Sequence, residues 1–303
     1  MYTPPCLTEG DKIALVAPAG KVKKETVDKA LKVFASWGLE VITGDNAEQE
    51  YFQFAGTDQQ RLADFQHAID DPAIKAVICI RGGYGSVRLI RNIDFARFKV
   101  SPKWIVGFSD VTVFHAYLNH TLHCESLHAI MPVSFDRPEA VTAIDTLRRV
   151  LFGKKQDYAV APDPMNRFGY ARGELAGGNL SILYSLLGTP LDFDTRNKVL
   201  FIEETGEYHY HLDRMMQSLK LAGKFDELEG LIVGTINKMR DTKDDFGLDA
   251  YGIIHEIVKD YDYPVLFGFP AGHTGDNRAL IMGRQVTLQT DNDNASLRFM
   301  SNG

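Results

Sequence analysis

The sequence predicts an α/β protein: a mostly parallel sheet with helices on both faces in its first half, then a smaller mixed α/β domain. Three observations carry this. Short apolar runs alternate with helical periodicity up to about residue 152. The first of those runs is apolar from Ile13 to Ala17, as expected of a strand buried on both faces. Beyond residue 166 short strands dominate, which predicts a substantial, barrel-like sheet.

Residues 12–17 form the first apolar run, closed by Pro18 and Gly20. Val27, Ala30, Leu31 and Phe34 recur at i, i+3, i+4 and i+7 and stop at Gly38, a helix with a glycine terminator. Residues 39–42 supply the second strand. Thr57 with Gln60 three residues on is a capping box, and Leu62, Phe65 and Ile69 then mark one helical face up to Asp71 and Pro72. Residues 74–80 are the next strand, followed by Arg81-Gly82-Gly83-Tyr84-Gly85 and a helix from about Ser86. Ile105 and Val106 lead to Ser109, and Val113, Phe114, Tyr117 and Leu118 give the next helix its buried side. A helix over 138–152 ends at Gly153. These features predict a first domain at 1–153, a polar, proline-bearing linker at 154–166 and a second domain at 167–303. In the second, strands are expected at 198–202, 231–233, 265–268, 279–282, 285–289 and 297–300, with helices at 179–187, 210–222 and 251–260.

Composition narrows the function classes. Of 303 residues 45% are hydrophobic and 24% charged, an ordinary globular balance. A formal charge of −7 gives no electrostatic reason to expect nucleic acid or an anionic membrane as partner. Cys6, Cys79 and Cys124 are widely spaced with no CxxC, so they read as reduced thiols, at least two in the core. The first residues lack a basic region followed by an apolar block, and no apolar stretch approaches the ~18 residues that span a bilayer. A cytoplasmic protein is expected.

Ser109 follows an apolar strand and precedes a helix by two residues. A serine at such a turn is held out of the sheet, with backbone N–H groups facing whatever it attacks; the alternative is the N-cap of the next helix. A serine hydroxyl needs a base, and His273, in a Gly/Pro-rich loop after a strand, is the best placed of nine histidines; a loop histidine bonding a carbonyl is the other reading. His115, His120, His123, His128 and His255 fall on helical or strand patterns and read as structural, with His128 also a candidate near the site. Glu203 closes the run 199–202, where a carboxylate can orient an imidazole, whereas Glu204 is expected on the opposite face. Alone, Glu203 would read as an acid opening a loop. Arg81-Gly-Gly-Tyr-Gly offers an amide that, with the amide of Asp110, forms an oxyanion hole; Gly-Gly turns also occur without function. Its spacing matches neither GxxxxGK[ST] nor GxGxxG, so no nucleotide cofactor is expected. Glu203, Glu204, Glu207, His209, His211 and Asp213 fit no zinc spacing and read as the polar start of a helix, so no metal is expected.

Several stretches in order resemble the serine LD-carboxypeptidases, the murein tetrapeptide carboxypeptidase family. They are Gly10-Asp-Lys-Ile-Ala-Leu-Val-Ala-Pro-Ala-Gly, Phe54-Ala-Gly-Thr-Asp with Arg61, Ala76-Val-Ile-Cys-Ile-Arg-Gly-Gly-Tyr-Gly, Val106-Gly-Phe-Ser-Asp-Val-Thr, Gly173-Glu-Leu-Ala-Gly-Gly-Asn-Leu-Ser, Leu200-Phe-Ile-Glu-Glu, Leu212-Asp-Arg-Met-Met and Phe269-Pro-Ala-Gly-His-Thr. The resemblance implies a Ser–Glu–His triad falling on Ser109, Glu203 and His273, and an oxyanion hole from the amides of Gly83 and Asp110. It makes Arg81, Gly82, Tyr84 and His128 substrate-binding candidates. It further implies a Rossmann-like first domain, a barrel-like core in the second, a cleft between them, a homodimer, a murein peptide substrate and no cofactor. One departure stands at Leu127-His-Ala-Ile-Met-Pro132, where many members have His-Gly-Pro, and this puts the pocket wall in question. Two other readings are a self-immunity peptidase of the microcin C type, disfavoured by the scarcity of Trp, and a peptide-binding protein without catalysis. An ordinary α/β-hydrolase esterase shares the Ser–acid–His order but needs a small residue where Val111 stands.

Overall fold

β1 (Lys12–Val16), buried along all but its first residue, is the strand from which the first sheet grows, with one strand on one side and four on the other. In the computed structural model, which describes residues 1–300, it is followed by α1 (Lys24–Ala35), β2 (Glu40–Thr43), α2 (Asp58–Asp70), β3 (Ile74–Cys79), the single turns α3 (Ser86–Leu89) and α4 (Ala96–Val100), β4 (Trp104–Gly107), α5 (Thr112–His120), β5 (Ser126–His128) and α6 (Ala140–Leu151). The strands β1 to β5 are parallel, and the sheet order is Leu280–Met282, β5, β4, β3, β1, β2. The order in which strands are added therefore reverses between β1 and β3, and in such sheets the loops at the carboxyl ends of the two flanking strands make the natural ligand crevice.

α1 covers the sheet with Val27, Ala30 and Phe34, the last edge-on to Trp37 at 4.9 Å. α2 opens with the expected Thr57–Gln60 capping box. At its other end buried Lys103 donates to the carbonyls of Ala68 and Asp71, two acceptors a helix end leaves unpaired. Burial brings Lys103 down to about 8. The helix expected from Ser86 is only one turn long; a 3-10 turn follows, and Asp94 then bonds the amide of Ala96 to begin α4.

The second sheet takes β6 (Asp157–Val160), β7 (Gly169–Asn179), β8 (Lys198–Thr205), β9 (Gly230–Asn237), β10 (Val265–Leu266), β12 (Gln285–Thr290) and β13 (Ala295–Phe299); β11 is Leu280–Met282, already placed in the first sheet. Its order is β10-β9-β8-β7-β12-β13-β6, parallel from β7 to β10 and antiparallel from β7 to β6. The sheet does not close, but it curls. Arg167, just before β7, exchanges two backbone hydrogen bonds (3.0 and 3.1 Å) with Val265 of β10, three strands away. α7 (Leu180–Leu186), α8 (His209–Leu221) and α9 (Ala250–Val258) pack Leu212, Met215, Met216 and Ile254 on Leu200, Ile202, Leu231 and Val233. At ~25 cal/mol per Å² of apolar surface, this burial is the main stabilising term of the unit.

By contacts the chain forms two compact units, Met1–Lys154 with Gly275–Ile281, and Lys155–Thr274 with the remainder. Residues 279–282, expected among the strands of the second half, instead edge the first sheet beside β5. Residues 157–160, inside the stretch read as a linker, pair with β13. Cys79 and Cys124 are buried and Cys6 is exposed. Among the described residues no helix is long and apolar enough to cross a membrane.

Candidate active site

β4 ends at Gly107, Phe108 stays extended, and Ser109 turns back at φ 62°. A non-glycine residue in the left-handed region costs roughly 1–3 kcal/mol and persists only where its surroundings impose it. Here they do. A side chain on Gly107 would meet Val111 at 2.8 Å, so the tight turn is made possible by a glycine two residues before the serine. That is how the elbow accommodates Val111. Buried His115 bonds Gly107 O through Nε2 and Ser126 Oγ through Nδ1, both at 2.9 Å. The carbonyl can only accept, so Nε2 carries the proton and Nδ1 takes the Ser126 hydroxyl. Burial brings His115 down to about 4, which keeps this brace neutral.

The glycine loop lies against the same turn. A Cβ on Gly82 would stand 3.1 Å from Ser109 Cβ, 3.3 Å from its Oγ and 3.4 Å from the amide nitrogen of Asp110. The Gly82 carbonyl accepts from Gly20 N at 3.0 Å, tying the loops after β1 and β3 together at the reversal point. Across a trans peptide, that bond turns the Gly83 N–H away from Gly20. Gly83, at φ 104°, and Tyr84, 48% exposed, lie at the surface. Arg81 donates to Lys21 O at 2.8 Å.

In the other unit, Glu203 and His273 meet. Glu203 Oε2 is 2.7 Å from His273 Nδ1; the carboxylate is fully buried, the imidazole 22% exposed. β8 does not end at Glu203 as expected but runs on to Thr205, with an irregularity against β9 between Ile202 and Glu204. Breaks of this kind in a ladder re-aim the side chains they carry. Asn237 fixes the histidine's backbone by donating to its carbonyl at 2.7 Å. Gly272, at φ 115°, packs so closely that a Cβ would lie 2.7 Å from Glu203 Oε2 and from Thr235 Oγ1. Gly272→Ala should therefore cost about 3 kcal/mol of stability and at least about 100-fold in turnover, read by denaturant melts and steady-state kinetics; near-wild-type values in both would contradict this packing. A carboxylate bonded to Nδ1 fixes the tautomer and leaves Nε2 to accept a proton.

Residues 13–129 match the model of the LD-carboxypeptidase N-terminal domain, and residues 172–288 that of the LD-carboxypeptidase C-terminal domain. A Bacillus subtilis protein named "Probable murein peptide carboxypeptidase" is 32% identical over 294 residues, which cover 95% of this chain and 92% of that one. The chain belongs to the LD-carboxypeptidase family. It is a serine-type carboxypeptidase by that membership. The crystal structure of muramoyltetrapeptide carboxypeptidase from Oxalobacter formigenes is similar at a TM-score of 0.86 and 29% identity, covering 96% of this chain and 99% of that one. MccF in complex with glutamyl sulfamoyl guanosine has a TM-score of 0.87 over 98% of each chain at 21% identity, a likeness of fold.

Two further features of this LD-carboxypeptidase were not foreseen. Residues Leu127 to Pro132 are all buried; His128 is fully so, its ring 5.8 Å from Phe108 and 6.3 Å from His115. Glu204 is a buried acid with its own partners. It accepts from Ser181 N at 2.7 Å and Asn179 Nδ2 at 3.2 Å, both at the start of α7, and from Thr205 N of its own strand at 2.8 Å. Burial first, and the Glu203 charge second, push it up to about 7 against these donors. The native state thus binds a proton that the unfolded chain releases above its ordinary 4.5. This group's contribution is most favourable below about pH 4.5 and declines as pH rises through 7, by on the order of 3 kcal/mol. Glu204→Gln should flatten that decline in denaturant melts at pH 4.5 to 8; equal pH slopes in the two proteins would contradict it. As for the candidate ligand cluster, His211 Nδ1 bonds Glu207 at 2.6 Å and His209 Nδ1 bonds Asp241 at 2.7 Å.

Proposed function

We propose that this protein removes the terminal D-alanine from murein tetrapeptides, cutting after the L-centre of a diamino acid. Ser109 is the nucleophile, His273 the base and Glu203 its orienting acid. The first domain, 1–153, carries the nucleophile, and the second, 167–303, carries acid and base. The observation that carries the reading is the 2.7 Å bond between a fully buried Glu203 and His273. It is supported by the strained Ser109 turn and by the names of the murein-peptide relatives.

In this mechanism His273 Nε2 takes the proton as Ser109 Oγ bonds to the scissile carbonyl carbon, which requires the two atoms within hydrogen-bond reach in the reacting complex. The amides of Gly83 and Asp110 hold the oxyanion, each worth roughly 3–4 kcal/mol of barrier lowering. The tetrahedral intermediate collapses, its C–N bond breaks, and the leaving D-alanine nitrogen receives the proton from His273. Water, deprotonated by the same imidazole, then releases the acyl group and restores the serine. Arg81 and Tyr84, exposed beside the glycine loop, are candidates for holding the peptide. A role for His128 runs through the packing beneath Phe108, given its burial. A homodimer in the cytoplasm is the setting we propose; two buried, unpaired cysteines suit a reducing compartment.

Purified protein given tri-, tetra- and pentapeptide stems should release D-alanine from the tetrapeptide alone. An aminoacyl-sulfamoyl nucleoside serves as the competing substrate. Hydrolysis of that amide without release from the tetrapeptide would replace this reading by a self-immunity peptidase, and ligand binding without turnover would replace it by a binding protein.

A further inference from the structure

Phe54-Ala-Gly-Thr-Asp with Arg61 is a stretch that the triad does not use. Arg61 is 1% exposed. Its Nη2 pairs with Asp58 and its Nη1 donates to Pro18 O and, at 3.3 Å, to Gly85 O. The guanidinium lies 4.8 Å from the centre of the Phe54 ring. Gly85, at φ 149°, must lack a side chain, because a Cβ there would lie 2.5 Å from Arg61 Nη1. One residue further on, the amide of fully buried Ser86 donates to Asp110 Oδ2 at 2.8 Å. Asp110 is itself 1% exposed, and its Oδ1 has no hydrogen-bond partner among the described residues.

Two buried groups of opposite charge thus grip one peptide unit: Arg61 holds its carbonyl oxygen, Asp110 its N–H. Asp110 directly follows Ser109, so its grip joins the serine turn to the end of the glycine loop. The start of that loop is held separately through Gly82 O and Gly20 N. Gly83 lies between the two anchors.

We propose that Asp110 acts twice, its amide as an oxyanion donor and its carboxylate as a positioning group that, with Arg61 opposite, sets the spacing between that donor and the amide of Gly83. The inference rests on the proposed triad and oxyanion hole. An ångström of misplacement can cost about 100-fold in rate, which is also about what loss of one oxyanion donor costs. The effect falls on kcat, because the oxyanion forms only beyond the ground state.

The test compares Asp110→Ala and Asp110→Asn with wild type in kcat, KM and affinity for a peptidyl boronic acid, which forms a tetrahedral adduct on the serine. Alanine removes the acceptor, and kcat should fall about 100-fold with KM within about threefold. Asparagine keeps an oxygen for Ser86 but not the charge facing Arg61, and kcat should fall about tenfold, with boronate affinity falling by the same factor. A merely structural aspartate would leave the ratio of boronate affinity to KM at its wild-type value. An unchanged ratio in Asp110→Asn overturns the proposal even if Asp110→Ala does not fold. Ser109→Ala separates the two layers. If it retains turnover, the triad reading fails and the clamp with it; if it is inactive while the Asp110→Asn ratio stays put, only the clamp fails.

Discussion

Ser109→Ala should lower turnover by on the order of 10⁴- to 10⁶-fold, because removing the nucleophile leaves only binding and the oxyanion donors. Stability should scarcely change. Ser109→Gly separates fold from function more sharply. Glycine adopts φ 62° without a Cβ penalty, so this variant should be inactive and yet more stable, by about 1 kcal/mol after the entropy of the unfolded glycine is counted. Denaturant melts beside D-alanine release would read both. A destabilised Ser109→Gly would mean that the positive φ carries no strain, and retained turnover in either variant would remove Ser109 from the chemistry.

Glu203→Gln is expected to cost about 10⁴-fold in kcat, since the amide cannot reproduce the carboxylate's hold on Nδ1–H and the wrong tautomer follows. KM should move little, the loss being confined to the proton-transfer step. The environment sharpens the effect. Glu203 is fully buried and its Oε1 has no hydrogen-bond partner among the described residues, so an NH₂ placed there would be a buried donor without an acceptor, and the amide is driven to point it at Nδ1 instead. Steady-state kinetics with the tetrapeptide measure it; a loss below about tenfold would reduce Glu203 to packing.

The legibility of this chain follows its chemistry. The Thr57–Gln60 capping box and the i, i+3, i+4 stripe of α1 are local patterns, and both appear in the fold. β7 is the opposite case. Gly173, Gly177 and Gly178 with Arg172 and Glu174 give no strand pattern, yet the segment is the longest strand of the second sheet. Its glycines admit β8 so closely that a Cβ on Gly177 would lie 1.9 Å from Phe201 O. Such contacts are tertiary, and a single segment does not display them. The pairing of Glu203 with His273 was expected from residue type and from their places after strands, but the break in the β8–β9 register at Glu203 was not. Arg61 was seen only as part of a recurring stretch, because its acceptors, Pro18 O and Gly85 O, are backbone atoms 43 and 24 residues away. Glu204 lies beside Glu203 in sequence, but two of its three donors, Asn179 and Ser181, come from the start of α7.

The central claim is that Ser109 forms the covalent bond to substrate. The most direct measurement is mass spectrometry of peptides from protein inactivated by a peptidyl phosphonate, with residual D-alanine release followed in the same samples. The account predicts one adduct, on the peptide that contains Ser109, accumulating in step with the loss of activity and absent from His273→Ala. Full modification of Ser109 with activity retained, or inactivation by an adduct on a different residue, would contradict it.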